Sequence, residues 1–309
     1  MKNITELVGI EYPIFQGAMA KISTHQLVIA VSEAGGLGTI ASGGMTTKKL
    51  REEIKAVKAG TNKPFAVNIV LLMDNCDELV DVVIEEDVKI VTTSAGTPKR
   101  FMSKLKEAGI IVIPVVPNVA IAKKMQDLGA DAVITEGTEA GGHIGEVSTL
   151  PLVASAVKAL DIPVIAAGGI SDARSITAVF ALGAKGAQMG TAYLVTEECP
   201  ISMAYKEKVL ASDETDTVVT GRKFGAPVRA ISNEMTGIYR KMEDGDVDRQ
   251  ELEKLTLGSL DRAVIEGDMV TGSVMAGQIA GNLDKIQTVQ AFHDTVITEL
   301  KELEITVLN

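Results

Sequence analysis

The stretch Val164-Ile165-Ala166-Ala167-Gly168-Gly169-Ile170-Ser171-Asp172 decides the fold. A short apolar run comes first, and a glycine turn follows it. Asp172 then begins a helix that carries Ile176, Val179 and Leu182 on one face. A strand, a tight turn and a helix in this order make one unit of a parallel α/β fold.

The same unit recurs along the chain at even spacing. The predicted strands are Ile14–Gln16, Leu37–Ile40, Phe65–Ile69, Lys89–Thr92, Ile111–Val115, Ala132–Thr135, Val164–Ala167 and Gly186–Met189. Eight such units predict an α/β protein with a (β/α)8 TIM barrel. A doubly wound open sheet is the alternative, and the even spacing favours the barrel.

The pattern changes after about residue 205. We expect residues 1–210 to form the barrel and residues 211–285 to form a small, mainly helical subdomain over the cofactor and substrate. Residues 286–309 are expected to form a final helix that returns to the barrel.

Composition excludes several classes of protein. With 309 residues and 46% hydrophobic residues, the chain can bury a large core. A net charge of −11 disfavours nucleic acids and anionic membranes as partners. Two cysteines make no disulfide framework, and the N-terminus has no apolar segment typical of a signal peptide. We therefore expect a cytoplasmic protein.

Glycine turns follow the seventh and eighth predicted strands. Gly168-Gly169 is the first, and Met189-Gly190-Thr191 is the second. Barrel enzymes commonly bind phosphate at these two positions, through loop amides and a helix N-terminus. Two turns at these positions indicate a phosphate group more strongly than either turn would alone.

Two motifs lie on earlier strands. Gln16-Gly17-Ala18-Met19-Ala20 would let a flat ligand approach the backbone, or would be only a tight turn. Asn68 lies near the C-terminal end of an otherwise apolar strand, and its amide would face a ligand or a backbone partner. The carboxyl ends of barrel strands carry the active site, which favours a ligand for Asn68.

The loop Glu136–Gly145 contains His143, one of only three histidines. His25 and His293 fall in predicted amphipathic helices, where a histidine is ordinarily structural. An imidazole in a glycine-rich loop at the barrel mouth can exchange a proton near neutral pH. Glu136 and Glu139 would orient it, bind another group, or be solvated loop carboxylates.

The late run Gly272–Gly281 consists mostly of small residues. It would pack helices together, or it would reach from the subdomain back to the pocket. The chain carries no dinucleotide fingerprint in a strand–turn–helix context, no zinc spacing and no P-loop.

Taken together, these motifs resemble the FMN-dependent nitronate monooxygenase and enoyl-reductase group. The run Gly272–Gly281, with Gly225-Ala226-Pro227-Val228-Arg229 before it, resembles the type II enoyl-acyl-carrier-protein reductase branch (FabK-type). The resemblance covers nearly the whole chain. It is specific in combination and weak for any one motif.

The resemblance implies FMN at the barrel mouth, with His143 as the catalytic residue. The cofactor would be contacted by Gly17, Ala18, Met19, Asn68, Ser94, Gly96, Glu136, Gly141, Gly142, Ala167, Gly168, Gly169, Met189, Gly190 and Thr191. Met275, Ala276 and Gln278 would come from the subdomain on the substrate side. A monovalent cation would lie near Arg229–Thr236, with ligands unassigned.

The implied reaction is the reduction of trans-2-enoyl-acyl-carrier-protein by NADH or NADPH, the last step of fatty-acid elongation. The acidic carrier protein would dock on a basic cluster, for which the candidates are Arg222, Lys223, Arg229, Arg240 and Lys241. A solvated face is the alternative for that cluster, and a homodimer is expected. The alternative reaction is oxidation of alkyl nitronates with oxygen, and a third alternative is a phosphate-binding barrel without flavin.

Overall fold

The computed structural model describes residues 3–245 and 247–303. The strands are Ile14–Gln16 (β1), Gly38–Ala41 (β2), Phe65–Val70 (β3), Ile90–Ser94 (β4), Ile111–Val116 (β5), Val133–Glu136 (β6), Gly142–His143 (β7), Val164–Ala167 (β8), Gly186–Met189 (β9), Thr217–Thr220 (β10) and Val228–Ile231 (β11). The α-helices are Ile4–Val8 (α1), His25–Glu33 (α2), Thr47–Gly60 (α3), Cys76–Glu85 (α4), Met102–Glu107 (α5), Val119–Asp127 (α6), Thr149–Ala159 (α7), Ala173–Ala181 (α8), Thr191–Leu194 (α9), Met203–Leu210 (α10), Glu234–Asp244 (α11), Arg249–Thr256 (α12), Ser259–Asp261 (α13) and Val289–Glu302 (α14). Short 3-10 turns occupy Pro98–Arg100 and Gln278–Asn282, and a π-helical turn occupies Arg262–Glu266.

Eight parallel strands form a nearly closed barrel, in the order β1-β9-β8-β6-β5-β4-β3-β2. The two ends of this sheet meet through a parallel bridge between Phe15 and Leu37. There the Gln16 N–H donates to the Leu37 carbonyl over 2.9 Å. The predicted (β/α)8 class is confirmed.

The barrel interior is an apolar cluster that includes Phe15, Ile90 and Ile134. Ile4 and Val8 of α1 belong to the same cluster. A Cβ on Gly9, the residue after α1, would lie 3.4 Å from Pro64, which directly precedes β3. The helix α1 therefore lies at the end of the barrel at which the strands begin. The opposite end, where the strands finish, is the barrel mouth.

The region after α10 contains more than helices. β10 and β11 form an antiparallel hairpin, and β11 also pairs with β7. This three-stranded sheet joins the loop of His143 to the region after α10, which is called the second region below. The domain boundaries at residues 210 and 285 stay predictions, and residues 304–309 of the last predicted segment lie outside the described residues.

The final helix, α14, packs against α2 and α8 on the outside of the barrel. His293 of α14 is buried and bridges two elements. Its Nδ1 lies 3.0 Å from the Ala34 carbonyl, and its Nε2 lies 2.8 Å from the Tyr193 hydroxyl. Since a carbonyl only accepts, Nδ1–H donates to Ala34, and Tyr193 donates to Nε2. This histidine is therefore structural, as its helical position predicts, and His25 likewise pairs with Glu53.

Desolvation lowers the pKa of His293 below its ordinary value of 6.5, although the bond to Ala34 opposes this shift. As the pH falls through 6.5, the unfolded chain takes up a proton at this residue before the folded chain does. The free energy of unfolding should therefore decrease below this pH, until the lower folded pKa is reached. We expect wild type to lose more stability than His293→Gln between about pH 7.5 and pH 5 in chemical denaturation. A gap between the two proteins that does not change with pH would contradict this assignment.

Within residues 3–245 and 247–303, no helix is long and apolar enough to cross a membrane. Cys76 and Cys199 are both buried free thiols. Burial raises the pKa of the Cys199 thiol to about 12, so this cysteine is unreactive at neutral pH.

Candidate active site

The floor of the barrel mouth is polar, in contrast to the apolar interior below it. Side chains alternate along a strand, so Glu136 faces the same side as Ile134 of the interior cluster. The same alternation places Asn68 above Ala66 and puts Gln188 on the inward face of β9. Three different strands therefore bring polar side chains to one end of the barrel.

Asn68 is buried and held by two hydroxyl groups of β4. Its Nδ2 donates to Thr92 Oγ1 over 3.0 Å, and its Oδ1 accepts from Ser94 Oγ over 3.1 Å. These contacts fix the amide plane and leave one Nδ2 hydrogen for a further acceptor. Gly96 follows on the exposed rim beyond β4.

The segment formed by residues 16–19, at the end of β1 and in the turn after it, contains one structural residue and three residues at the barrel mouth. Gln16 is fully buried. Its side-chain oxygen accepts a hydrogen bond from the Thr39 amide, and its side-chain nitrogen donates one to Ser23 Oγ. Gly17 stays at the mouth, where its N–H donates to the Met189 carbonyl over 2.8 Å. Ala18 and Met19 follow it and are half-buried. Gln16 therefore holds β1 to β2, and the three residues after it are the ones that line the mouth.

Glu136 ends β6 opposite Ala167 of β8. No hydrogen bond or ion pair joins its carboxyl to any other described residue. Burial raises the pKa of this carboxyl from 4.5 to about 7. A substantial fraction is therefore a neutral acid at neutral pH, with an O–H that can donate to a ligand.

A raised folded pKa means that Glu136 costs stability when it ionises. This cost begins above the unfolded pKa of 4.5 and grows until the pH passes about 7. Flavin-free Glu136→Gln should avoid it, so we expect the variant to gain up to about 3 kcal/mol over wild type between pH 4.5 and pH 8. Denaturant titrations at several pH values measure this gap. A gap that does not grow with pH would show that Glu136 ionises normally.

The loop after β6 is tied to α7 by Glu139. Its carboxylate accepts from the Thr149 amide over 2.9 Å and from the Thr149 hydroxyl over 2.9 Å. Glu139 therefore satisfies the N-terminus of α7 and does not orient His143. The Thr149 hydroxyl also lies 2.9 Å from the Gly168 carbonyl, so this contact links the loop to the turn after β8.

His143 lies in a short strand, where a glycine-rich turn was predicted. Gly142 pairs with Arg229 and His143 with Val228 of β11. The imidazole is accessible, yet partial desolvation lowers its pKa below the ordinary value. No side-chain hydrogen bond of His143 occurs in the part of the chain that the structure describes. It is therefore neutral at neutral pH and free to bind a ligand.

The small-residue run reaches back to this loop. The Gly277 N–H donates to Thr191 Oγ1 over 2.9 Å, and the Gln278 N–H donates to the Glu139 carbonyl over 3.0 Å. Ala276 packs against Gly141 so closely that a Cβ on Gly141 would lie 2.6 Å from the Ala276 carbonyl carbon. The second region therefore contacts the mouth through backbone, and Gly141 must stay a glycine.

Met275 completes this contact. Its carbonyl accepts from the Tyr205 hydroxyl over 2.8 Å. Its Sδ lies 3.6 Å from the position that a Cβ on Gly142 would occupy. The Met275 side chain therefore lies beside the backbone of the His143 strand.

The two late glycine turns offer free amides. Among the hydrogen bonds of residues 3–245 and 247–303, none uses the N–H groups of Gly169, Ile170, Thr191 or Ala192. A Cβ on Gly190 would find only Met19 Sδ, at 3.9 Å, so that turn faces open space. Met189 contributes backbone alone, because its side chain is buried in the core outside the barrel. The arrangement suits an anion bound by main-chain donors.

The predicted basic cluster needs a correction. Arg229 is only 7% exposed, because it lies between the hairpin and the loop of His143, and it cannot belong to a surface patch. Arg222 is exposed but pairs with Glu146. Lys223 and Arg240 line a surface cavity of about 450 Å³, together with Val219, Arg222, Glu243 and Asp244. Lys241 is exposed beside Arg240 but does not line that cavity.

The pairing of β7 with β11 was the main feature missed. The signal was present as two short apolar runs, Val218–Thr220 and Val228–Ile231, on either side of a loop with Gly225 and Pro227. Such a pattern predicts a hairpin. Nothing in it indicates that residues of the earlier loop add a third strand.

Comparison with known proteins gives one family and several relatives. The family model described as nitronate monooxygenase matches residues 1–79 and 73–299. A protein of Rhodococcus jostii named (3aS,4S,5R,7aS)-5-hydroxy-7a-methyl-1-oxo-octahydro-1H-indene-4-carboxyl-CoA dehydrogenase is 32% identical, over 96% of this chain and 94% of its own length. A probable nitronate monooxygenase of Staphylococcus saprophyticus is 33% identical, over 97% of this chain and 98% of its own length. The solved structure of FabK from Thermotoga maritima is 46% identical with a TM-score of 0.94, over 98% of this chain and 96% of that one.

Proposed function

This chain belongs to the nitronate monooxygenase family of oxidoreductases, and from that premise we propose that it is an FMN-dependent enoyl-acyl-carrier-protein reductase. It would reduce trans-2-enoyl thioesters with NADH or NADPH. The observation that carries the proposal is the likeness to FabK, which spans nearly the whole of both chains at higher identity than the likeness to the Staphylococcus protein.

The residues at the mouth fit FMN. The unpaired amides after β8 and β9 suit its phosphate, and the open side of Gly190 leaves room for it. The free hydrogen of Asn68 and the neutral acid of Glu136 offer donors to a polar ring edge. When bound, FMN supplies hydride transfer between the pyridine nucleotide and the enoyl chain.

The protein would contribute a proton and a dry site. A neutral imidazole at His143 carries one N–H, which can donate to the thioester carbonyl oxygen and stabilise the enolate that forms there. The same side chain can then pass this proton to the α-carbon while its other ring nitrogen takes a proton from water, so that the imidazole stays neutral. Met275 and Ala276 would exclude water from this side of the mouth, because their segment packs directly on the loop.

Several partners remain part of the proposal. The carrier protein would dock near Arg240 and Lys241, which are exposed on α11, with Arg222 and Lys223 beside them. A monovalent cation near Arg229–Thr236 follows from the resemblance. A homodimer and a cytoplasmic location are also part of the proposal, the latter from the cysteine content and the N-terminal sequence. The Rhodococcus relative is named for a carboxyl-CoA, which is also a thioester.

Oxidation of alkyl nitronates with oxygen is the second candidate. The family description and the name of the Staphylococcus relative favour it. In that reaction His143 would bind the nitro group or act as a base, and no pyridine nucleotide would be needed.

Anaerobic absorbance spectroscopy separates the candidates. We expect a yellow protein that NADH or NADPH bleaches and that a trans-2-enoyl thioester then reoxidises. If the pyridine nucleotides leave the flavin oxidised and a nitronate bleaches it, the reductase proposal is wrong and the second candidate stands. A protein that stays colourless after FMN is added would favour a phosphate-binding barrel without flavin.

A further inference from the structure

Arg229 is a buried cation that spans two parts of the molecule. It lies on β11, directly opposite Gly142 of β7. Its Nε donates to the Thr138 carbonyl over 3.0 Å, and its Nη1 donates to Thr217 Oγ1 over 2.9 Å. The side chain therefore connects the hairpin to the loop that presents His143.

The charge of Arg229 is not neutralised locally. Both of its hydrogen-bond partners are uncharged oxygens, and none of the ion pairs among the described residues includes its guanidinium. The Glu139 carboxylate attracts the guanidinium from a distance, but that carboxylate accepts hydrogen bonds from Thr149 and forms no ion pair with Arg229. Burial lowers the pKa of Arg229, and repulsion by Arg222 lowers it further, although a guanidinium stays protonated in proteins.

An unpaired buried charge is costly, and a neutral donor could make the same two hydrogen bonds. The charge itself therefore needs an explanation. Thr138 lies two residues after Glu136 of the mouth floor, and Gly142 is next to His143. The guanidinium is thus fixed directly behind the loop that borders the mouth. In a desolvated site a fixed charge acts over a longer range than it does in water.

We propose that the uncompensated positive charge of Arg229 stabilises negative charge that develops at the barrel mouth. This proposal rests on the proposed reductase function. In that reaction a hydride that originates from the reduced pyridine nucleotide adds to the β-carbon. The electron pair of the C=C bond moves toward the thioester carbonyl as an enolate. The N–H proton of His143 then adds to the α-carbon, and water returns a proton to the other ring nitrogen. Arg229 lowers the energy of that enolate without contacting it.

The test compares Arg229→Gln and Arg229→Lys with wild type. Glutamine removes the charge and keeps a donor, whereas lysine keeps the charge and loses the fork that reaches two oxygens. Lys158→Gln is the matched control, since it removes an exposed cation from the last turn of α7. The readouts are the midpoint potential of bound FMN without substrate, and kcat and KM for the enoyl thioester.

We expect Arg229→Gln to lower the midpoint potential and to lower kcat by on the order of tenfold, with a smaller change in KM. Arg229→Lys should stay near wild type in potential, and Lys158→Gln should match wild type in every readout. A folded, flavin-loaded Arg229→Gln with the potential and kcat of wild type would overturn the proposal.

Misfolding of Arg229→Gln and failure of the proposed function in wild type give different results. If Arg229→Gln does not fold, Arg229→His replaces it, because raising the pH removes the histidine charge within one folded protein. A potential whose pH dependence then equals that of wild type also contradicts the proposal. If wild type itself binds no FMN or ignores enoyl thioesters, the proposed function has failed, and Arg229 is not the cause.

Discussion

Replacement of His143 by alanine is expected to lower turnover of an enoyl thioester by about 10²- to 10⁴-fold, the usual contribution of a general acid. No described residue forms a hydrogen bond with the imidazole that could compensate for its loss, and its strand is held by backbone pairing with β11. The fold and the flavin content should therefore stay unchanged. Steady-state kinetics and the flavin absorbance of the same sample measure both quantities.

His143→Gln serves as the matched variant, because glutamine keeps a hydrogen-bond donor but cannot deliver a proton. It should recover part of the substrate binding and little of kcat. Unchanged turnover in His143→Ala would remove this residue from the chemistry and leave Glu136 as the remaining candidate acid.

Replacement of Gly168 by valine is expected to produce a protein without flavin. Gly168 has φ +97°, and a Cβ there would lie 3.0 Å from the Gly137 carbonyl and 3.0 Å from Thr149 Oγ1. Relief of this contact would move the turn whose free amides suit the phosphate. The ratio of flavin to protein absorbance after purification, and after incubation with added FMN, measures the loss.

Gly129→Val is the matched control for this substitution. Gly129 has φ +94°, and a Cβ there would meet nothing within 4 Å. Both variants carry a similar backbone strain of about 1–3 kcal/mol, but only Gly168 lies beside the late glycine turns. If Gly168→Val retains stoichiometric FMN, the phosphate site lies elsewhere.

The barrel could be predicted because each unit carries its own local signals. A short apolar run followed by a turn recurs eight times, and the resulting strands form one parallel sheet. Three of the following helices also begin at a capping side chain, namely Thr46, Asn118 and Asp172. The carboxyl ends of parallel strands meet at one edge, so Asn68, Glu136 and the turns after β8 and β9 could be assigned to one mouth.

Individual orientations were harder to predict. Both faces of β1 are buried, so its sequence shows no alternation that separates Phe15 inside from Gln16 outside. The charge of Arg229 suggested solvent, because a sequence does not show which cations lie between two segments distant along the chain. Pairing of β7 with β11 depends on a contact of this long-range kind, and local propensity cannot indicate it.

The position of α14 has a consequence for synthesis on the ribosome. This helix covers the apolar surface between α2 and α8, and His293 closes it by bonding to Tyr193 and Ala34. All eight barrel strands emerge from the ribosome before α14 does. The hairpin of β10 and β11 and the helices α11 to α13 also emerge before α14. A nascent chain can therefore pair its strands while that surface is still bare. Chaperone binding to the growing polypeptide should concentrate on the groove between α2 and α8, and should end once the helix containing His293 has emerged.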